Sequence, residues 1–134
     1  MWKLARRHGG RKGSGHEYEQ GTCLAGIKGV FIDRDPTVLD RLVSDNYQQH
    51  SPRIPNGTAA IKALLGNLPA DFRYEPGLVV AEGDYVTIHG RYFGWGPKPM
   101  MAVDIFRVAN GKIAEHWDVV QPIPEKPTNT NGMF

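Results

Sequence analysis

The chain has 134 residues, 40% of them hydrophobic and 22% charged, which suits one domain with its own core and excludes wholesale disorder. Lys3, Arg6, Arg7, Arg11 and Lys12 carry the formal charge of +2; the body beyond them is slightly acidic, so a nucleic-acid partner is not expected. No run approaches the roughly 18 apolar residues that span a bilayer, and the lone Cys23 excludes an internal disulfide or a cysteine-built metal site, leaving the cytoplasm as the default compartment.

Residues 1–15 read as a disordered basic leader, 16–124 as the domain and 125–134, with prolines and little to bury, as an irregular tail on the surface. From Glu17 to Ile32 the residues Leu24, Ile27 and Phe31 recur at helical spacing, although Gly21, Gly26 and Gly29 weaken an isolated helix by about 1 kcal/mol each. Asp35-Pro36 predicts a helix start, because Asp caps free N–H groups and Pro tolerates the first turn. That short helix runs through Val43 and buries Val38, Leu39 and Leu42. Ser44-Asp45-Asn46 reads as a turn, and Tyr47 to His50 leads into a loop ending near Asn56-Gly57. Thr58 is placed to cap a third helix with Ile61, Leu64 and Leu65 on its face, ended by Gly66 and Pro69.

The rest reads as strand: Phe72 to Glu82, Tyr85 to Phe93, Met100 to Ala109 and Lys112 to Gln121, turning at Gly83-Asp84 and Asn110-Gly111. Helices followed by an antiparallel meander make the α+β class, with helices covering one face of the sheet.

The last hairpin decides the chemistry. A two-residue turn at Asn110-Gly111 pairs Ala109 with Lys112 and sets Asp104 opposite Trp117, with His116 and Asp118 on the other face. A type I turn with Gly111 as a left-handed bulge residue instead pairs Val108 with Lys112 and brings Asp104, His116 and Asp118 to one face. The second register is preferred, because it also gathers Val103, Ile105, Ile113 and Trp117 on an apolar face. On the neighbouring strand His89 and Arg91 share a face and are expected to line the same pocket. A single strand histidine is commonly just a hydrogen-bonded core residue, but several ionisable groups converging on one sheet face point to a site.

The segments YQQHSP at Tyr47 to Pro52 and VDIFRVANGKIAEHWDVVQPIP at Val103 to Pro124 resemble the SnoaL-like polyketide cyclase family, whose fold is related to that of nuclear transport factor 2. The resemblance implies a strongly bent antiparallel sheet wrapped around the helices into a cone, and a homodimer formed through the outer sheet face, where Val103, Ile105 and Trp117 would lie. In cyclase members an aspartate on the last strand acts as acid/base in an intramolecular aldol closure, helped by a histidine on the preceding strand. Asp118 matches that aspartate, while Asp104 stands where the histidine would be. Other members of the broad fold isomerise ketosteroids, open epoxides or only bind ligands.

The leading expectation is therefore a cofactor-independent enzyme that removes a proton next to a carbonyl of a small apolar molecule. Asp118 would be the base, His116 or His50 the donor to the developing oxygen, and Asp104 a second carboxylate. Tyr47, His89, Arg91 and Phe106 would contact the substrate, and epoxide opening would be a variant that uses Arg91. The alternative is a binding domain walled by Tyr47, Phe93, Trp95 and Phe106. No metal is expected, since His50, His89 and His116 lack any tight ligand motif.

Overall fold

The computed structural model describes residues 14–134. Positions 1–13 of the expected leader lie outside the described residues, and helix α1 (Ser14–Phe31) takes in its last two positions. Cys23, Ile27 and Val30 form the buried stripe of α1, at the i, i+4, i+7 spacing that aligns side chains on one helix face. Leu24 and Phe31 flank that stripe, packed against the core but only partly covered. Gly29 is a contact point: a Cβ there would fall 2.6 Å from the Val38 side chain, so the missing side chain lets α1 press against α2 (Thr37–Leu42). Asp35 Oδ1 accepts hydrogen bonds from the Thr37 N–H at 2.9 Å and the Thr37 hydroxyl at 2.6 Å, capping α2 as its sequence implies. Thr58 holds the N-cap position of α3 (Ala59–Gly66) but makes no capping bond with its side chain.

The predicted turn at Ser44-Asp45-Asn46 is instead part of a strand, β1 (Val43–Gln49). Its residues favour turns locally, but tertiary pairing overrides them: β1 is an edge strand running parallel to β5, with Val43 and Tyr47 buried and Asp45, Asn46 and Gln48 exposed. The other strands are β2 (Arg73–Glu82), β3 (Tyr85–Phe93), β4 (Met100–Ala109) and β5 (Lys112–Pro122). The sheet order is β1-β5-β4-β3-β2, open and antiparallel apart from β1. Register breaks in β1, in β2 between Pro76 and Val79, and between β4 and β5 bend it around α1. Residues 123–134 carry no helix or strand, and the Phe134 ring lies 4.1 Å from the Arg91 guanidinium. No helix among the described residues is long and apolar enough to cross a membrane.

The β4–β5 hairpin combines parts of both expected registers. Asn110 and Gly111 have φ of 52° and 74°, the two left-handed residues of a type I′ turn, and Ala109 pairs with Lys112. The bulge lies further along: Val108 pairs with Ile113 but Arg107 with Glu115, leaving Ala114 as the extra residue. Ile113 and Ala114 are both buried, so Ile113 belongs to the inner face and not to the apolar outer face expected for it. Beyond the bulge the parity is the useful one. Asp104 stands opposite Asp118, neither beside Trp117 nor beside His116, and Asp104, His116 and Asp118 share the inner face.

Candidate active site

The inner face of β4 presents Ala102, Asp104, Phe106 and Val108, all buried. Together with β1, β3, β5 and the helices it encloses a cavity of about 90 Å³ whose lining includes Tyr47, Gln49, Tyr92, Asp104, Phe106, His116 and Asp118. The remaining walls are chiefly apolar, and no Lys or Arg of the described residues lines them. Trp95 and Val120 also line the cavity and are 39% and 40% exposed, which marks where it opens to solvent.

Asp104 is held at both oxygens. Its Oδ2 accepts a hydrogen bond from the Tyr92 hydroxyl at 3.0 Å, and its Oδ1 lies 2.8 Å from His116 Nε2. His116 Nδ1 lies 2.7 Å from Gln49 Oε1, which also accepts the Ser51 N–H at 3.0 Å. The Gln49 amide nitrogen donates to the Tyr47 hydroxyl at 3.0 Å. The Phe106 ring stacks on the imidazole with centroids 4.9 Å apart, closing the other side of His116. Asp118 makes no side-chain hydrogen bond with any described residue. It is the free carboxylate of the cavity.

Burial, and after it the Asp104 charge, pushes the Tyr92 phenol well above its ordinary range, so Tyr92 remains a proton donor to Asp104. Tyr74 is raised for the same two reasons, yet its buried hydroxyl has no hydrogen-bond partner. Tyr47 is raised chiefly by burial and further by the charges of Asp104 and Asp118, against a lowering from Gln49. It keeps its proton, and that proton meets no acceptor among the described residues.

One ligand atom each from Asp104, His116 and Asp118 lies within 4.8 Å of the others. Asp104 Oδ1 and His116 Nε2 are already hydrogen-bonded to each other and the imidazole's second nitrogen is taken by Gln49, so the histidine is engaged at both nitrogens before any cation enters.

The expected site residues divide in two. Tyr47, Asp104, Phe106, His116 and Asp118 meet in the cavity; His50, His89 and Arg91 do not. His89 pairs with Val103 while its neighbour Ile88 pairs with Asp104, so strand alternation turns His89 and Arg91 outward. Arg91 bonds Glu75 at 2.7 Å, and Phe93 lies on the same outer face under the Arg73 guanidinium. His50 stacks on Trp117, centroids 4.7 Å apart, and bonds Glu115 at 2.7 Å, both on the outer side of β5. The residues missed are Tyr92, which alternation sets on the face of β3 opposite His89 and Arg91, and Gln49. The signal for Gln49 was the same alternation: with Tyr47 inward, Gln49 follows it two residues later, and His50 takes the other face.

The SnoaL-like domain family matches residues 27–116. No curated protein matches the chain. Among solved structures it is similar to a candidate polyketide cyclase from Bacillus cereus at 23% identity, covering 76% of this chain and 74% of that one with a TM-score of 0.66. A candidate ketosteroid isomerase from Kribbella flavida aligns at 14% identity over 85% of both chains, TM-score 0.69. A nuclear transport factor 2-like protein of unknown function from Burkholderia xenovorans aligns at 17% identity over 84% and 89%, TM-score 0.67. At these identities the structural likeness speaks for the fold alone.

Proposed function

The chain belongs to the SnoaL-like domain family, and from that premise we propose that it is an acid/base enzyme that removes a proton next to a carbonyl of a small apolar molecule. The observation that carries this reading is the contrast between two carboxylates at one cavity. Asp104 is tied by Tyr92 and His116, while Asp118 faces the cavity with no side-chain hydrogen bond to any described residue. An unengaged carboxylate against apolar walls is equipped to accept a proton.

Asp118 takes the proton from carbon, and the C–H electron pair moves into the carbonyl, leaving charge on its oxygen. Tyr47 is the donor for that oxygen, since its O–H proton is unused and its phenol is held protonated. His116 supplies no free N–H, because both ring nitrogens are engaged; its part is to complete the group around Asp104. Protonated Asp118 then returns the proton to another carbon, or the enolate closes on a second carbonyl, giving isomerisation or aldol cyclisation. The reading uses no cofactor. Epoxide opening through Arg91 finds no support, as Arg91 is bonded to Glu75 on the outer face.

The cavity of about 90 Å³ is below the roughly 300 Å³ at which ligand sites usually begin. The reacting end of the substrate is therefore what enters, with the remainder passing Trp95. The apolar walls equally suit a binding domain that turns nothing over. Proton–deuterium exchange at the carbon next to the carbonyl, followed by NMR over a panel of small cyclic ketones and diketones, separates the two. Enzyme-dependent exchange that disappears in Asp118→Asn is expected; binding without exchange across the panel would establish the non-catalytic reading.

A further inference from the structure

We infer that Gln49 is a positioning residue that fixes which nitrogen of His116 carries a proton and so keeps one extra proton in the Asp104–His116 pair. A backbone N–H can only donate, so the Gln49 atom 3.0 Å from the Ser51 nitrogen is the amide oxygen. That same oxygen meets His116 Nδ1 at 2.7 Å. An amide oxygen can only accept, and Nδ1 is therefore the N–H nitrogen.

A neutral imidazole protonated at Nδ1 has a lone pair at Nε2, and Nε2 faces Asp104 Oδ1 at 2.8 Å. A lone pair against a carboxylate is repulsive, so a second proton lies between them. Either imidazolium faces carboxylate or imidazole faces carboxylic acid, and in both cases the pair is neutral overall. Without an acceptor at Nδ1, a neutral His116 would turn its single N–H to Asp104 and the pair would carry a full negative charge. His116 is 7% exposed and Asp104 4%, so solvent is poorly placed to substitute for either partner.

The charge state matters because Asp118 pairs directly across from Asp104. The groups facing it are Asp104 from β4, His116 from its own strand, Gln49 and Tyr47 from β1 and Tyr92 from β3, with no Lys or Arg of the described residues among the cavity lining. A neutral Asp104–His116 pair leaves Asp118 as the one net charge of this group. A carboxylate at Asp118 then has no like net charge beside it. The catalytic consequence rests on the proposed proton abstraction; the tautomer does not.

Nitrogen-15 histidine NMR on wild type, Gln49→Leu and Gln49→Glu tests the tautomer without any substrate, with His116 identified by the signal lost in His116→Asn. Wild type is expected to show a protonated Nδ1, the position neutral histidine in water disfavours. Gln49→Leu should shift His116 to the Nε2–H form, and Gln49→Glu, which keeps an acceptor, should restore Nδ1–H. A wild-type His116 protonated at Nε2 alone overturns the inference, even if Gln49→Leu fails to fold. In the exchange assay the acid limb of the pH–rate profile should move to higher pH in Gln49→Leu, lowering the rate there by roughly tenfold; Gln49→Glu serves the tautomer alone, since its carboxylate brings a charge of its own. If wild type shows no exchange on the panel but the tautomer holds, the proposed reaction fails and the positioning role stands; if the tautomer holds and Gln49→Leu leaves the profile unmoved, the effect on Asp118 is refuted.

Discussion

Asp104 and Asp118 stand directly across from each other on β4 and β5, yet among the described residues one carboxylate is bonded at both oxygens and the other at neither. Cross-strand like charges repel, and the sheet accommodates them by giving Asp104 a tyrosine hydroxyl and an imidazole while Asp118 keeps the cavity to itself. The two residues should therefore fail differently when changed.

Asp118→Asn should lower kcat of the exchange reaction by roughly 10²-fold or more, the usual worth of a positioned base, with little change in urea stability. Asp104→Ala should lower stability by about 3 kcal/mol, because it strands the Tyr92 hydroxyl and His116 Nε2 in a buried setting. Parallel kinetics and urea titrations check both, and an active, normally stable Asp118→Asn would retire that residue as the base.

Tyr74 and Tyr92 make a second contrast, since their rings lie 4.5 Å apart but only Tyr92 has a hydroxyl partner. Tyr74→Phe removes an unpaired buried hydroxyl and should raise stability by about 1 kcal/mol, whereas Tyr92→Phe should lower it by about 1–2 kcal/mol. Chemical denaturation of the two variants, each one oxygen lighter, would show the opposite signs.

Cys23 is fully buried on α1, and burial first, then the Glu19 charge, pushes its thiol up to about 12. The thiolate is the reactive species, so in the native protein at pH 8 a disulfide reagent should label Cys23 only as fast as the chain opens. Labelling at the rate of a free thiol, without denaturant, would contradict the packing around α1.

Glu115 is held below the ordinary carboxylate range by its hydrogen bond to Arg107, then by that to His50. A carboxyl lowered on folding stabilises the native state above its unfolded value, roughly pH 4.3, and the contribution fades as pH falls through the lower folded value. Wild type should thus exceed Glu115→Gln in urea midpoint at pH 6, with the gap shrinking toward pH 3. A gap that is constant across that range would exclude the linkage.

A homodimer through the outer sheet face is expected, with Val103, Ile105 and Trp117 in or near the interface. Leu78, Val80 and Val119 are 51%, 54% and 68% exposed, and apolar side chains bared on a sheet are a mark of contact between copies. Light scattering at micromolar concentration should report twice the chain mass, falling to the single mass in Val119→Lys. A wild-type monomer would refute it.

The helices and four of the five strands were legible in the sequence because each rests on local periodicity or turn chemistry; His116 and Asp118 share a face by alternation, but Asp104 joins them through a bulge at Ala114 and not through the expected one at Gly111. What failed depended on pairing between distant segments. Ser44-Asp45-Asn46 has turn chemistry and becomes strand only because β5 offers it an edge. His89 and Arg91 do share a face, but alternation along one strand cannot say whether that face is inner or outer; the pairing of Ile88 with Asp104 decides it. The bulge was placed at Gly111, where a left-handed glycine is visible, whereas Ala114 has nothing in its chemistry to mark it.

Ala114 has a consequence for how this hairpin tolerates changes of length. With Ala109 paired to Lys112 and Arg107 to Glu115, β5 holds one residue more than the ladder uses. Removing Ala114 would regularise the pairing and leave the partners of His116, Trp117 and Asp118 unchanged, because Ile113 already faces inward and Glu115 outward. Inserting a residue at the same place requires either a second bulge or regular pairing that slides β5 by two residues along β4, which sets His116 opposite Asp104 and Asp118 opposite Ala102 while keeping both inward. The segment between turn and site is thus silent to a shortening by one residue, whereas a lengthening by one keeps the facing of the site but retains its pairing partners only through a second bulge.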